Sequence, residues 1–105
     1  MKTRKIQYIV EITSDDRIRV EIITRKNAVV DFVVQQESSI KDKWNAIIRY
    51  NYAHGKPHKD IVNPDGTSKK EWIEISDLSK IIEIGKRDIM KNWQKFRKNY
   101  EEKLK

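Results

Sequence analysis

The sequence predicts an α+β fold: an antiparallel meander of about six strands with one long C-terminal helix packed across one face. Three observations carry it. Apolar residues recur at every second position from Ile6 to Ile75, the signature of half-buried strands. From Ser76 onward they recur every three or four positions, the signature of an amphipathic helix. The segments between the strands are short and polar, which favours pairing in sequence order.

The first strand alternates Ile6, Tyr8, Val10 and Ile12 with Gln7, Glu11 and Thr13, and Ser14–Arg17 is turn material. Ile18, Val20 and Ile22 alternate with Arg17, Arg19 and Glu21 in a second strand, giving a hairpin. Lys26-Asn27 is a two-residue turn, because Asn tolerates the positive φ that tight hairpins need. Ala28–Gln36 is apolar on both faces through Val29, Val30, Phe32, Val33 and Val34, which places it centrally. Ser38–Asp42 reads as the next turn. Trp44, Ala46, Ile48, Tyr50 and Tyr52 then share one face of a fourth strand, with Asn45, Arg49 and Asn51 on the other. Gly55 and Pro57 end it, so Ala53–His58 reads as a loop. Lys59–Val62 is a fifth strand and Asn63-Pro64-Asp65-Gly66 a turn. Lys70–Ile75 is the sixth, with Trp72 on one face and Ile73 and Ile75 on the other.

In the helix, Ser76 is the expected N-cap and Asp77 lies in the first turn, where a negative charge suits the dipole. Leu78, Ile82, Gly85, Ile89, Trp93, Phe96 and Tyr100 form the buried stripe, widened by Ile81, and the helix runs to about Tyr100. Gly85 costs about 1 kcal/mol of helix propensity against Ala, so its place on that stripe implies close packing on the sheet or a kink.

Composition bounds the function. The 105 residues suit one domain over residues 1–105, and 16 isoleucines with three tryptophans and four tyrosines supply a core despite 37% charged residues. The absence of cysteine excludes disulfide scaffolds, thiolate metal sites and a cysteine nucleophile. No apolar leader or membrane-length apolar run is present, so a soluble cytoplasmic protein without membrane partners is expected.

The formal net charge is +7, and residues 76–105 hold nine basic groups against five acidic ones. Lys80, Arg87, Lys91, Lys95 and Lys98 fall largely opposite the apolar stripe. They read either as a solvated face, with Glu83–Arg87 paired at i, i+4, or as a patch for phosphates or an acidic protein. No Gly-rich phosphate loop, dinucleotide fingerprint or zinc-finger spacing accompanies them, and no cofactor is expected.

Both histidines lie in Arg49-Tyr50-Asn51-Tyr52-Ala53-His54-Gly55-Lys56-Pro57-His58-Lys59-Asp60. Two imidazoles converging in a loop suit acid–base cleavage of a phosphodiester, one taking the 2′-hydroxyl proton and the other protonating the leaving oxygen. Arg49 with Lys56 or Lys59 would stabilise the growing phosphate charge. Two other readings stand beside it. His54, His58 and Asp60 offer an N,N,O metal set, or the histidines serve the turn backbone and the lysines keep the loop soluble. The reading carried forward assigns no metal. Trp44, Tyr50 and Tyr52 read as packing residues before stacking platforms.

The segment from Arg49-Tyr50-Asn51 through Ala53-His54-Gly55 and Pro57-His58-Lys59-Asp60, with the Pro64-Asp65-Gly66 turn and Trp72, resembles a group of small prokaryotic α+β proteins. They carry an RYD-x-AHG-x-x-HRD-like segment before a C-terminal helix. That group is similar in pattern to the TumE-type toxins of toxin–antitoxin pairs. The resemblance covers about half of the chain and singles out Arg49, Tyr50, His54, Gly55, His58 and Asp60. Asn51 stands where an Asp is usual, and His58-Lys59-Asp60 replaces a His-Arg-His cluster. It implies a toxin-module origin with an antitoxin-like partner. The expected function is a toxin-like or nucleic-acid-interacting domain acting on RNA or DNA through the His54–Asp60 loop. Its counterpart is a non-catalytic interaction module that uses the basic helix.

Overall fold

The computed structural model describes residues 2–53 and 55–105. Six strands, β1 (Thr3–Thr13), β2 (Asp16–Arg25), β3 (Ala28–Ile40), β4 (Lys43–Ala53), β5 (Lys56–Val62) and β6 (Ser68–Trp72), precede one helix, α1 (Leu78–Glu102). Each strand pairs antiparallel with its sequence neighbour, so the spatial order is the chain order. The expected α+β meander with a C-terminal helix is the fold, and α1 packs against β3, β4 and β5. Among the described residues no helix is long and apolar enough to cross a membrane.

The strands run further than the alternation suggests, and the turns are correspondingly tight. Lys26 and Asn27 both take positive φ (53° and 64°), as the hairpin reading requires. Ser38–Asp42 is not a turn. Ser38, Ser39 and Ile40 continue β3, and only Lys41 and Asp42 turn, at φ of 56° and 61°. The ladder explains it: Ser38 and Ser39 pair with Asn45 and Trp44. Likewise β2 begins at Asp16, whose carboxylate accepts from Thr13 Oγ1 (2.7 Å), Ser38 Oγ (2.7 Å) and Arg97 Nη1 (2.9 Å). Burial opposes that carboxylate, but these donors outweigh it and hold its pKa below the usual range.

One bulge changes which side chains share a face. Gln36 pairs with Ile48 and Glu37 with Ala46, leaving Ile47 as the extra residue in β4. Trp44 and Ala46 therefore lie on the face away from the helix, while Ile48, Tyr50 and Tyr52 lie beneath it. The single-face reading of Trp44 to Tyr52 is corrected there. Ile47 and Ile48 both join the core with Ile18, Val20, Phe32 and Val34 from the sheet and Ile81, Ile82 and Ile89 from the helix.

The N-cap is Asp77 rather than Ser76: its side chain accepts from the backbone N–H of Ser79 (3.0 Å) and Lys80 (3.4 Å). A carboxylate with two donors within reach outcompetes a hydroxyl one residue earlier. Ile73 and Ile75 follow the end of β6 and pack on the core from the connecting segment. Ile89 is fully buried, whereas Trp93 and Phe96 are half-buried at the margin of the core.

Candidate functional site

The helix covers one face of the sheet; the other face has no covering element among the described residues. Strand alternation and antiparallel register lay polar side chains across it in rows. One row runs Arg19, Gln35, Arg49, Asp60, Lys70, and the next Glu21, Val33, Asn51, His58, Trp72. Packed side by side, these groups bury one another: Gln35, Glu37, Asn51, His58 and Asp60 are all buried although no layer lies above them.

Two hydrogen-bonded groups make up this surface. In the first, the Glu37 carboxylate accepts from Arg17 Nε (2.7 Å), Arg19 Nε (3.1 Å) and Gln35 Nε2 (2.6 Å). Burial works against its charge, but donation from Arg17 and Gln35 and the charges of Arg17 and Arg19 outweigh it, so its pKa is lowered. Gln35 passes the chain on, its Oε1 accepting from Arg49 Nε (2.6 Å). The Arg17 guanidinium lies over the Trp44 ring at 3.8 Å.

The second group centres on Asp60. Its Oδ2 accepts from Asn51 Nδ2 (3.1 Å) and lies 3.3 Å from His58 Nε2. His58 Nδ1 lies 3.2 Å from the Lys56 carbonyl. Both ring nitrogens face acceptors, so a neutral imidazole satisfies one contact and only the imidazolium satisfies both. Asp60 Oδ1 is buried with no hydrogen-bond partner among the described residues. Trp72 stands edge-on to His58, ring centroids 5.4 Å apart, and is 55% exposed. Lys56 and Lys70 reach over the same indole at 5.8 and 5.5 Å. Arg49, Asn51, His58, Asp60 and Lys70 line a shallow depression of 410 Å³.

Of the candidate site residues, Arg49, His58 and Asp60 line this one depression, but not in a loop. His58 and Asp60 belong to β5, where Lys56-Pro57-His58 pairs with Asn51-Tyr52-Ala53. Pro57, which has no N–H to donate, lies just beyond the last β5–β6 pair, His58↔Trp72, and its carbonyl accepts from the Ile73 N–H at 3.1 Å. His54, the other half of the proposed proton-transfer pair and of the N,N,O metal set, lies outside the described residues. Among the described residues no group of three His, Asp or Glu side chains stands close enough to hold a metal ion.

Lys59 does not join this site. It points from the opposite face of β5 into the helix interface, where its Nζ donates to Asp88 Oδ2 (2.8 Å) and sits 4.7 Å from the Phe96 ring. Tyr50 donates to the same oxygen at 2.6 Å, and Asn92 donates to Asp88 Oδ1 at 2.8 Å. Burial opposes the Asp88 charge, but these donors win and lower its pKa. Burial first, then the hydrogen bond to Asp88, push the Tyr50 hydroxyl far up.

Lys80, Arg87, Lys91, Lys95 and Lys98 are exposed on the outer side of α1. Glu83 pairs with Lys86 at 3.0 Å, not with Arg87. The helix charges and the Arg49–Asp60 surface therefore lie on opposite sides of the molecule, separated by the sheet. The sequence reading missed Arg17, Arg19, Gln35 and Glu37. Their parity in β2 and β3 was the available signal, but only the register shows that they adjoin Arg49.

No curated protein and no solved structure matches the chain. A family model matches it along residues 1–105, and the chain belongs to the DUF7718 family, a domain of unknown function.

Proposed function

We propose that this chain is a toxin-like, RNA-directed domain that takes single-stranded RNA on the open face of its sheet. The observation that supports this most is the combination, on one uncovered face, of the exposed Trp72 indole with Lys56 and Lys70 over it and Arg49 on the same face in the neighbouring row. Single strands are bound by open sheets through bases stacked on aromatic rings and phosphates held by cations. Trp72 supplies the ring, the two lysines and Arg49 the cations, and the His58–Asp60–Asn51 group keeps the surface rigid.

The test is fluorescence anisotropy with a labelled single-stranded RNA oligonucleotide. Trp72→Ala should weaken binding about 5- to 100-fold, the worth of one stacked base, and wild-type affinity should fall steeply with salt. Binding indifferent to Trp72→Ala, or absent at low salt, removes the reading. Cleavage is its stronger form: wild type and His54→Ala compared on the same RNA should differ by about 10²–10⁴-fold if His54 transfers a proton.

The second reading, an interaction module using the helix, is favoured by Arg87, Lys91, Lys95 and Lys98. All four are exposed, and none is in an ion pair among the described residues. Lys91→Glu with Lys98→Glu should then abolish capture of an acidic, antitoxin-like protein while leaving the effect of Trp72→Ala on RNA unchanged.

A further inference from the structure

The sheet has two edges, and they are built differently. β6 is five residues long and carries Lys69 and Lys70, the short, lysine-bearing form that discourages edge-to-edge pairing. β1 is eleven residues long, contains no proline and is hydrogen-bonded to β2 alone. Its ladder with β2 is unbroken from Thr3 to Glu11, the bulge coming only at Ile12. The centre of that stretch, Ile6-Gln7-Tyr8-Ile9-Val10, bears no charge, and Ile6 and Ile9 are each 49% exposed. An edge of this kind leaves a row of unpaired N–H and C=O groups open to another strand.

The sequence of β1 says which strand fits. Lys5 and Glu11 flank Tyr8 at equal distances, so the strand is complementary to itself when reversed. Set antiparallel about Tyr8, two copies place Lys5 opposite Glu11 twice, Ile6 opposite Val10 twice and Tyr8 opposite Tyr8. All eleven residues, Thr3 to Thr13, then overlap. Any other antiparallel register shortens the overlap and parts the unlike charges, and an in-register parallel pairing puts like charges together. The side parity agrees as well. Ile6, Tyr8 and Val10 lie on the helix side of the sheet, where α1, seated over β3 to β5, leaves Ile6 half open. Lys5 now pairs with Glu21 at 3.2 Å, but Glu21 also holds Arg19 at 3.5 Å, and Glu11 is in no ion pair among the described residues.

We propose that two copies of this chain pair through β1, antiparallel and centred on Tyr8, joining their sheets into one of twelve strands with both helices on the same side. The inference is independent of RNA binding, since β1 is the edge farthest from β5 and β6.

Sedimentation equilibrium of the full chain over a concentration series tests it. Wild type should be in monomer–dimer equilibrium. Lys5→Glu or Glu11→Lys alone replaces two attractive cross-strand pairs with two repulsive ones and should weaken the dimer about 10-fold or more. Mixing the two single variants restores unlike charges at both positions and should recover a heterodimer, and combining both changes in one chain should recover a homodimer. Lys5 and Glu11 are both exposed, and circular dichroism melts check that the variants fold. A chain that stays monomeric at every concentration, including one whose edge is filled by a different protein, overturns the proposal. So does a dimer indifferent to these reversals.

Discussion

Gly85→Ala isolates the contact that fixes the helix on the sheet. A Cβ at this position would stand 3.0 Å from both Cγ and Cδ1 of Tyr50 and 3.4 Å from its Cβ. Carbon atoms settle at about 3.5–4.0 Å, so the methyl arrives roughly half an ångström too close. The ring has little room to yield. It is 5% exposed, its hydroxyl is bonded to Asp88 at 2.6 Å, and Lys59 lies 5.5 Å from its centroid. Overpacking of this kind costs about 1–3 kcal/mol. Against it stands the helix propensity that Ala recovers over Gly, about 1 kcal/mol. The net expectation is a loss of about 1 kcal/mol, read by urea denaturation as a midpoint lower by roughly 0.3–1 M. In a Tyr50→Leu background, where the ring is gone, the same substitution should become neutral or stabilising. A Gly85→Ala variant of the wild-type background that gains about 1 kcal/mol, as a solvent-facing helix position would, refutes the close-packing argument.

Three further outcomes follow from the same geometry. Asp16, Glu37 and Asp88 bind protons less readily when folded than when unfolded, so the stability they contribute is present above their unfolded pKa values. Thermal midpoints should hold near neutrality and fall as pH drops below about 4; Tyr50, shifted the other way, should withdraw stability above about pH 10. An acid limb that stays flat to pH 2 would contradict the donor pairing that lowers these pKa values. Asp77→Ala should cost about 0.5–2 kcal/mol while Ser76→Ala changes little, and the reverse order in denaturation midpoints would return the cap to Ser76. Arg97→Ala strips a charged donor from buried Asp16 but leaves the Thr13 and Ser38 hydroxyls, so a loss of about 1.5–3 kcal/mol is expected. A variant with the wild-type melting temperature would show that Arg97 is dispensable there.

Much of the fold was determined by the sequence alone, because it is written within a few residues at a time. The period of two, the change to a helical period at Ser76, the Lys26-Asn27 turn and the placement of Gly85 on the buried stripe all depend on local backbone chemistry. Candidate site residues were legible as types, and Arg49, His58 and Asp60 line one depression. Tertiary structure decided what local pattern leaves open. Alternation divides a strand into two faces without saying which one the helix covers. A single extra residue, Ile47, reverses the assignment for Trp44 and Ala46. Lys59, adjacent in sequence to His58 and Asp60, is sent to the opposite face and neutralised by Asp88, 29 positions away. The open polar surface exists only because register sets Arg19, Gln35, Arg49 and Asp60 side by side from four different strands. Pairing across such separations is chosen by the packing of the whole sheet, which no short stretch of sequence contains.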